Sequence, residues 1–310
     1  MYYDPIKDRL GRAFSANPFL QKTFYSLLHV VFLRSWYVRR EIRRLLEPYS
    51  ADERIDVLDA GTGFGQYAYY VAREFPNARV LAVDVKEDYL ENARRFVART
   101  PQRNRISFEK HDLTDLHLNR SFDLILSVDV MEHIEDDGAV FRNFARVLKS
   151  GGHVIINTPS NLGGSDVSGE GEESFIEEHV RPGYSREELT GKLEDAGLAP
   201  VRAFYTYGGY GSKAWRILLK WPMQMLARTR AAFAILPIYY LLALPAGAAL
   251  NALDVRTENT TGTGLLVGLA STSWAVNVNV GGMDSMGRFP NLMTATVNGT
   301  AISVAFTGYA

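Results

Sequence analysis

Between Arg54 and Gln66 the chain reads Arg-Ile-Asp-Val-Leu-Asp-Ala-Gly-Thr-Gly-Phe-Gly-Gln. No other stretch narrows the choice of fold as much. Ile55, Val57 and Leu58 make a short apolar run ending in Asp59, the pattern of a buried strand. Gly61, Gly63 and Gly65 follow at every second position. Glycine enters positive φ without steric cost and puts no Cβ in the way of a ligand. From Gln66 the period changes, with Tyr67, Tyr70, Val71 and Phe75 recurring at helical spacing. Strand, glycine turn and helix N-terminus in that order form a nucleoside site in an α/β fold.

The spacing also selects the nucleoside. A dinucleotide fingerprint is Gly-x-Gly-x-x-Gly, in which helix-end amides meet a pyrophosphate. Here the order is Asp-x-Gly-x-Gly-x-Gly. A carboxylate before the first glycine repels a phosphate but pairs with an amino group. S-adenosylmethionine has no phosphate and carries an ammonium and a sulfonium. The stretch resembles motif I of the class I S-adenosylmethionine-dependent methyltransferases.

The pattern then repeats. Ala78 to Val85 is a second apolar run, ending at Asp84. In a doubly wound fold an acid at the end of strand two accepts from ribose hydroxyls. Glu87 to Arg99 reads as a helix, Ile106 to Leu113 as a strand running into Asp112, and Phe122 to Val128 as a strand followed by Asp129. Asp137 is expected to cap a helix bearing Val140, Phe141, Phe144, Val147 and Leu148, which Lys149 and Gly151-Gly152 would end. His153 to Asn157 reads as strand five. Ser185, with Glu188 three residues on, makes a capping box for a helix that Gly197 stops. Pro200 to Tyr207 is a candidate sixth strand. Alternating β and α elements call for a doubly wound, Rossmann-like, mostly parallel sheet with helices on both faces. Asp59, Asp84, Asp112 and Asp129 then share the carboxyl rim where ligands bind.

The resemblance covers roughly Asp56 to Leu198 and implies a seven-stranded α/β fold. It implies that Asp59, Gly61, Thr62, Gly63, Gly65 and Gln66 belong to the cofactor site, with Asp84 and Val85 beside them. Asp112 would accept from the adenine amino group and Leu113 would flank the ring. Ser127 and Met131 would lie under the methionyl arm. Beyond strand four, Glu132 and His133 would face the acceptor, as would His179, Arg181 and Tyr184 further on. His133 is the candidate base, because imidazole titrates near neutrality; equally, it is a helix-start histidine bonded to backbone. Glu132 either bonds the cofactor or orients His133. No metal is required.

The family's last strand runs antiparallel, and Gly262 to Leu269 is its best candidate. That leaves Gly208 to Asn259 as an apolar, aromatic insertion between strands six and seven. Ala231 to Leu250 carries no charge and is long enough to span a bilayer. Pro237 and Pro245 interrupt it, and a single crossing would put neighbouring strands of one sheet on opposite sides of the membrane. The segment therefore reads as a helical hairpin, either a lid buried on the domain or one dipping into a leaflet with Trp215 and Trp221 at the interface. Leu20 to Leu46 reads as one long helix with Arg34, Arg39, Arg40, Arg43 and Arg44 crowding its second half. That face is either solvated or seated on an anionic membrane.

Five segments result: an N-terminal helical cap (1–50), the cofactor-binding core (51–207), the apolar insertion (208–261), the last core strand (262–270) and a β-rich tail (271–310). The tail carries only Asp284 and Arg288 as charges and has a hairpin signal at Asn298-Gly299. Ser160 to Ser174 reads as a loop beside the substrate face. A formal net charge of -1 gives no global field for nucleic acid. The absence of cysteine excludes thiolate catalysis and cysteine-ligated zinc. The N-terminus has acids and no immediate apolar core, so it is not read as a secretory signal. The reading is a methyltransferase acting on a small, apolar or lipid-like acceptor, cytoplasmic or peripheral to the inner face of the membrane. Membrane contact would run through 208–253 and 20–46. A non-catalytic S-adenosylmethionine-binding domain and a nicotinamide oxidoreductase are the alternatives.

Overall fold

Seven apolar runs pair into one sheet. In the computed structural model, which describes residues 18–162, 180–181, 183–229, 232–257, 259–271, 277–279, 292–297 and 300–305, these are β1 (Ile55–Ala60), β2 (Ala78–Asp84), β3 (Ile106–Lys110), β4 (Phe122–Val128), β5 (Leu148–Pro159), β6 (Leu198–Thr206) and β7 (Gly264–Ser271). Their order is β3-β2-β1-β4-β5-β7-β6. Neighbours from β3 to β5 are parallel, while β7 runs antiparallel to both β5 and β6. The chain reverses direction across the sheet between β1 and β4, and ligands of doubly wound folds bind above such a switch point.

Helices cover both faces. On one side α1 (Pro18–Val31), α2 (Leu33–Leu46), α3 (Gln66–Glu74) and α4 (Glu87–Val97) bury Tyr37, Ile42, Tyr70 and Phe96 against Val57, Leu124 and Ile155. On the other, α5 (Asp137–Val147) and α6 (Arg186–Asp195) bury Phe141, Phe144 and Leu189 against Leu58, Ile125 and Val267. The inner strands β1, β2, β4 and β7 are buried on both faces, which is why they read as continuous apolar runs, whereas the edge strands β3 and β6 are partly exposed.

Three local readings change. The expected single N-terminal helix is two, because Phe32 adopts an extended conformation between α1 and α2. The helix cap before α5 is Asp136, whose side chain accepts from the Ala139 amide; Asp137 is the first helical residue and turns inward. The helix also ends sooner, at Val147, and Leu148 already pairs with Phe122 in the sheet. Ser185 does cap α6, accepting from the Glu188 amide at 3.0 Å.

Between β6 and β7 lies a helical hairpin. Its first leg is α7 (Gly209–Trp215), a π-helical turn at Arg216–Lys220 and α8 (Trp221–Arg228); its second is α9 (Ala232–Arg256). The inner face of α9 is unusual: Ala243, Gly247, Asn251 and Asp254 are buried. A Cβ on Gly247 would sit 2.5 Å from Leu218 Cγ, so the Leu218 side chain packs directly on the backbone of α9. Asp254 accepts from Tyr37 Oη at 2.7 Å and from the Gly211 amide at 2.7 Å, tying the hairpin to α2. Among the tail residues, β8 (Asn277–Asn279), β9 (Leu292–Val297) and β10 (Thr300–Ala305) form a separate antiparallel sheet. Asn298, Gly299 and most of the Ser160–Ser174 loop lie outside the described residues.

Candidate active site

The glycine turn after β1 is held by its own acids. Gly61, Gly63 and Gly65 have φ of 78°, 52° and 77°. A Cβ on Gly61 would also lie 2.4 Å from a methyl of Val130, whereas nothing lies within 4 Å of Gly63. The loop is thus packed from below and open above Gly63. Its amides are mostly consumed: Gly61 and Thr62 donate to Val83 O at 2.9 Å, Gly65 to Thr62 O at 2.9 Å, and Gly63 to Asp84 Oδ2 at 2.8 Å. A phosphate cradle needs such amides free. This loop offers carboxylates instead.

Asp59 is buried, accepting from Thr62 Oγ1 at 2.6 Å and from the Ala68 amide at 3.0 Å. Burial pushes its carboxyl up to about 6, against the downward pull of those two bonds, with the Asp84 charge adding to the rise. Asp84 spends one oxygen on Gly63 and the other on the Lys86 amide at 2.9 Å. Each carboxylate oxygen accepts twice, so Asp84 retains lone pairs for two hydroxyls. Val85 beside it is 52% exposed, an apolar wall without a cover. Asp112 is exposed and makes an Asx turn with Thr114, through the amide at 2.8 Å and the hydroxyl at 2.7 Å. Leu113 next to it is buried.

Beyond β4 the chain turns sharply. Asp129 has φ 54°, a conformation non-glycine residues keep only when their surroundings hold it. Three contacts do so. Its amide donates to Asn157 O at 2.8 Å, its Oδ1 accepts from Asn157 Nδ2 at 3.0 Å, and its Oδ2 pairs with the Arg34 guanidinium. Met131, Glu132 and His133 then form a single 3-10 turn. Met131 is buried and His133 exposed. Glu132 is buried and accepts from Thr158 Oγ1 at 3.1 Å. Burial and the Asp129 charge push its carboxyl up to about 8, so it is largely protonated at neutral pH. Ser127 Oγ, Asn157 Oδ1 and Thr206 Oγ1 are buried without a hydrogen-bond partner among the described residues. Orphaned polar atoms at strand ends are the groups a polar ligand would satisfy.

Two of the sequence-selected acceptor-side residues are engaged elsewhere. Arg181 pairs with Asp137 and donates to Ile134 O at 2.6 Å and Glu135 O at 3.0 Å. Tyr184 is buried, donating to Asp137 Oδ2 at 2.7 Å, with Lys192 Nζ 2.8 Å from the same oxygen. Burial pushes the Asp137 carboxyl up, but the bonds from Lys192 and Tyr184 and the Arg181 charge outweigh it and hold it low. This knot staples the segment after β4 to α6. Asp137 and Tyr184 are buried in it and Arg181 and Lys192 half-buried. His179 lies outside the described residues.

The N-terminal cap supplies what the spacing did not show. Besides Arg34, Ser35 Oγ lies 3.3 Å from Gln66 Nε2, and Tyr25 Oη donates to Phe64 O within the glycine turn. The Arg34 amide donates to Tyr207 Oη at 3.2 Å. Arg34 read as one arginine in a basic face; only the tertiary fold brings it to Asp129.

A sequence model described as a methyltransferase domain matches residues 57–152, from β1 into β5, the stretch that holds all four rim acids. Residues 57–152 thus match a methyltransferase domain, and the chain is similar to S-adenosylmethionine-dependent methyltransferases. A phosphoethanolamine N-methyltransferase of Triticum aestivum is 34% identical over 152 residues, which is 47% of this chain and 29% of that one. A demethylmenaquinone methyltransferase of Bacteroides fragilis is 29% identical over 124 residues, 40% of this chain and 49% of that one. The chain thus spans under half the length of either relative. Among solved structures, a Galdieria sulphuraria protein assigned as a sarcosine dimethylglycine methyltransferase matches with TM-score 0.51 at 16% identity, covering 77% of this chain and 84% of that one. A cyclase, SpnF, matches equally well, with TM-score 0.51 at 17% identity over 75% and 80%. Likeness at that level shows the fold alone, and it spans two chemistries.

Proposed function

We propose that the chain transfers a methyl group from S-adenosylmethionine to a small, apolar or lipid-like acceptor. The observation that carries the first half is the glycine turn whose amides are spent internally and which is ringed by Asp59, Asp84, Asp112 and Asp129. That arrangement favours a cationic nucleoside over a phosphorylated one. When bound, S-adenosylmethionine supplies an already activated methyl on a sulfonium, so the protein's task is alignment and, for a hydroxyl or carbon acceptor, proton removal. Asp84 would hold the ribose hydroxyls, Asp112 the adenine amino group, and Val85 and Leu113 the ring. Asp129 and the orphaned oxygens of Ser127 and Asn157 suit the amino-acid arm. His133, exposed on the turn after β4, is the residue placed to take a proton from an acceptor.

The second half rests on the insertion. The connection from β6 to β7 leaves and re-enters the sheet at the same carboxyl rim, because Thr206 pairs with Gly264. The apolar hairpin therefore rises beside the acceptor side. A relative named for demethylmenaquinone is in keeping with an apolar acceptor, whereas one named for phosphoethanolamine points to a small polar one. On this reading the protein acts in the cytoplasm, or on the inner face of its membrane.

Two measurements test the reading. Titration calorimetry should show S-adenosylmethionine binding and no uptake of NAD; the reverse result would sink it. Methyl transfer from labelled cofactor should be found with quinone precursors or lipid extracts and not with nucleic acid. A protein that binds the cofactor yet methylates nothing across that panel would favour the non-catalytic binding reading.

A further inference from the structure

We propose that the hairpin between β6 and β7 is a membrane-docking device, which seats one stripe of α9 in the outer region of an anionic leaflet while the first leg lies at the headgroups. The proposal rests on the acceptor reading above only for its purpose, not for its physics.

The polarity of α9 is inverted. Ile235, Ile238, Leu242 and Leu253 are exposed, as are Pro245, Ala246 and Ala249, and their spacing places them on one stripe. Exposure reaches 69% at Ile238, 73% at Leu241 and 81% at Leu242. The buried side of the same helix is small and polar: Ala243, Gly247, Asn251 and Asp254. A helix on a water-soluble domain does the opposite, turning its apolar stripe to the core. An apolar stripe this long on a surface marks a site for another apolar phase.

Charge identifies the phase. From Gly208 to Leu253 the chain carries Lys213, Arg216, Lys220, Arg228 and Arg230 and no acid. Lys213, Arg216 and Lys220 fall three and four apart, on one face of the first leg. Lys213, Arg216 and Arg228 are exposed, and Lys220 rests over the Trp215 ring at 5.7 Å. Trp221, Met223 and Leu226 are exposed on the same leg. A basic face beside an apolar face, with tryptophan between, is the composition of an interfacial element. A second copy docking stripe to stripe would bring two basic legs together, whereas anionic lipid neutralises both.

The depth is shallow. By length and composition Ala234–Arg256 could cross a bilayer. However, its carboxyl end is fixed to α2 through Asp254 and Tyr37. The first leg, with Lys213, Arg216 and Lys220 along its length, would have to cross beside it, at about 2.5–3.5 kcal/mol for each charge at the centre.

The test is flotation of the full chain with vesicles of zwitterionic lipid alone and of zwitterionic plus anionic lipid. The chain should float with the anionic vesicles, and less so as salt is raised. Leu241→Glu with Leu242→Glu, both on the exposed face, should lower the bound fraction roughly tenfold or more, and Lys213→Gln with Arg216→Gln by a similar factor, at about 1 kcal/mol for each basic residue near the surface. Circular dichroism and S-adenosylmethionine calorimetry on the same samples should be unchanged. Failure of the wild type to float overturns the proposal. So does sedimentation showing a dimer that L241E/L242E splits, since the stripe would then be a subunit interface. Loss of cofactor binding in the wild type would instead strike the methyltransferase reading and leave flotation as an independent result.

Discussion

At the scale of single residues, the rim is a set of acids with different duties. Asp84 is half engaged by the loop and half open to a ligand, so Asp84→Asn should weaken S-adenosylmethionine binding by about tenfold in calorimetry, the cost of one charge-assisted hydrogen bond. Gly61 has no such latitude. Gly61→Ala meets both a positive φ and the Val130 methyl at 2.4 Å, so it should lower stability by about 3 kcal/mol or more in denaturant titration. Glu132 makes stability depend on pH. Its folded value of about 8 lies above the ordinary 4.5. Between those limits the folded state keeps a proton that the unfolded state has lost. Its contribution is therefore complete below about pH 4.5 and fades as pH rises through 8. Glu132→Gln should remove most of that decline, so the variant should melt several degrees above the wild type at about pH 8 and close to it at about pH 5. Asp59, raised to about 6, keeps a weaker slope of the same sign in both proteins.

At the scale of elements, the hinge between β4 and α5 is held from two sides. Arg34 clamps it from α2, and the Asp137 knot clamps it from α6. Asp137→Ala removes the carboxylate that Arg181, Lys192 and the Tyr184 hydroxyl share, leaving Arg181 the Ile134 and Glu135 carbonyls and Tyr184 that of Met131. It should cost about 2 kcal/mol or more in chemical denaturation. Strands were the legible elements: an apolar run ending in an acid, four times over, needs no tertiary information. What spacing alone could not show is which charged residue meets which. The resemblance puts Arg181 and Tyr184 on the acceptor side; spacing does not show that both bond Asp137, buried at the first turn of α5. Arg34 read as one of a basic cluster, and it reaches Asp129 only because Phe32 breaks the helix. The break itself had no marker, since Phe32 is neither glycine nor proline.

At the scale of the whole molecule, cofactor and folding are linked. A ligand at about a hundred times its dissociation constant adds about 2.7 kcal/mol, which for a chain this size should raise the melting temperature by about 4 °C. A thermal-shift series should show that rise with S-adenosylmethionine or its demethylated product and none with NAD; no response to either nucleoside would argue that the rim acids serve structure alone. One further consequence comes from the rung between Thr206 and Gly264. The long excursion departs and returns on neighbouring strands, so a short turn spliced there would leave every strand in register. The nucleoside half and the excursion are then separable modules. An excursion at that junction can differ in length or sequence without disturbing the strands that end in Asp59, Asp84, Asp112 and Asp129.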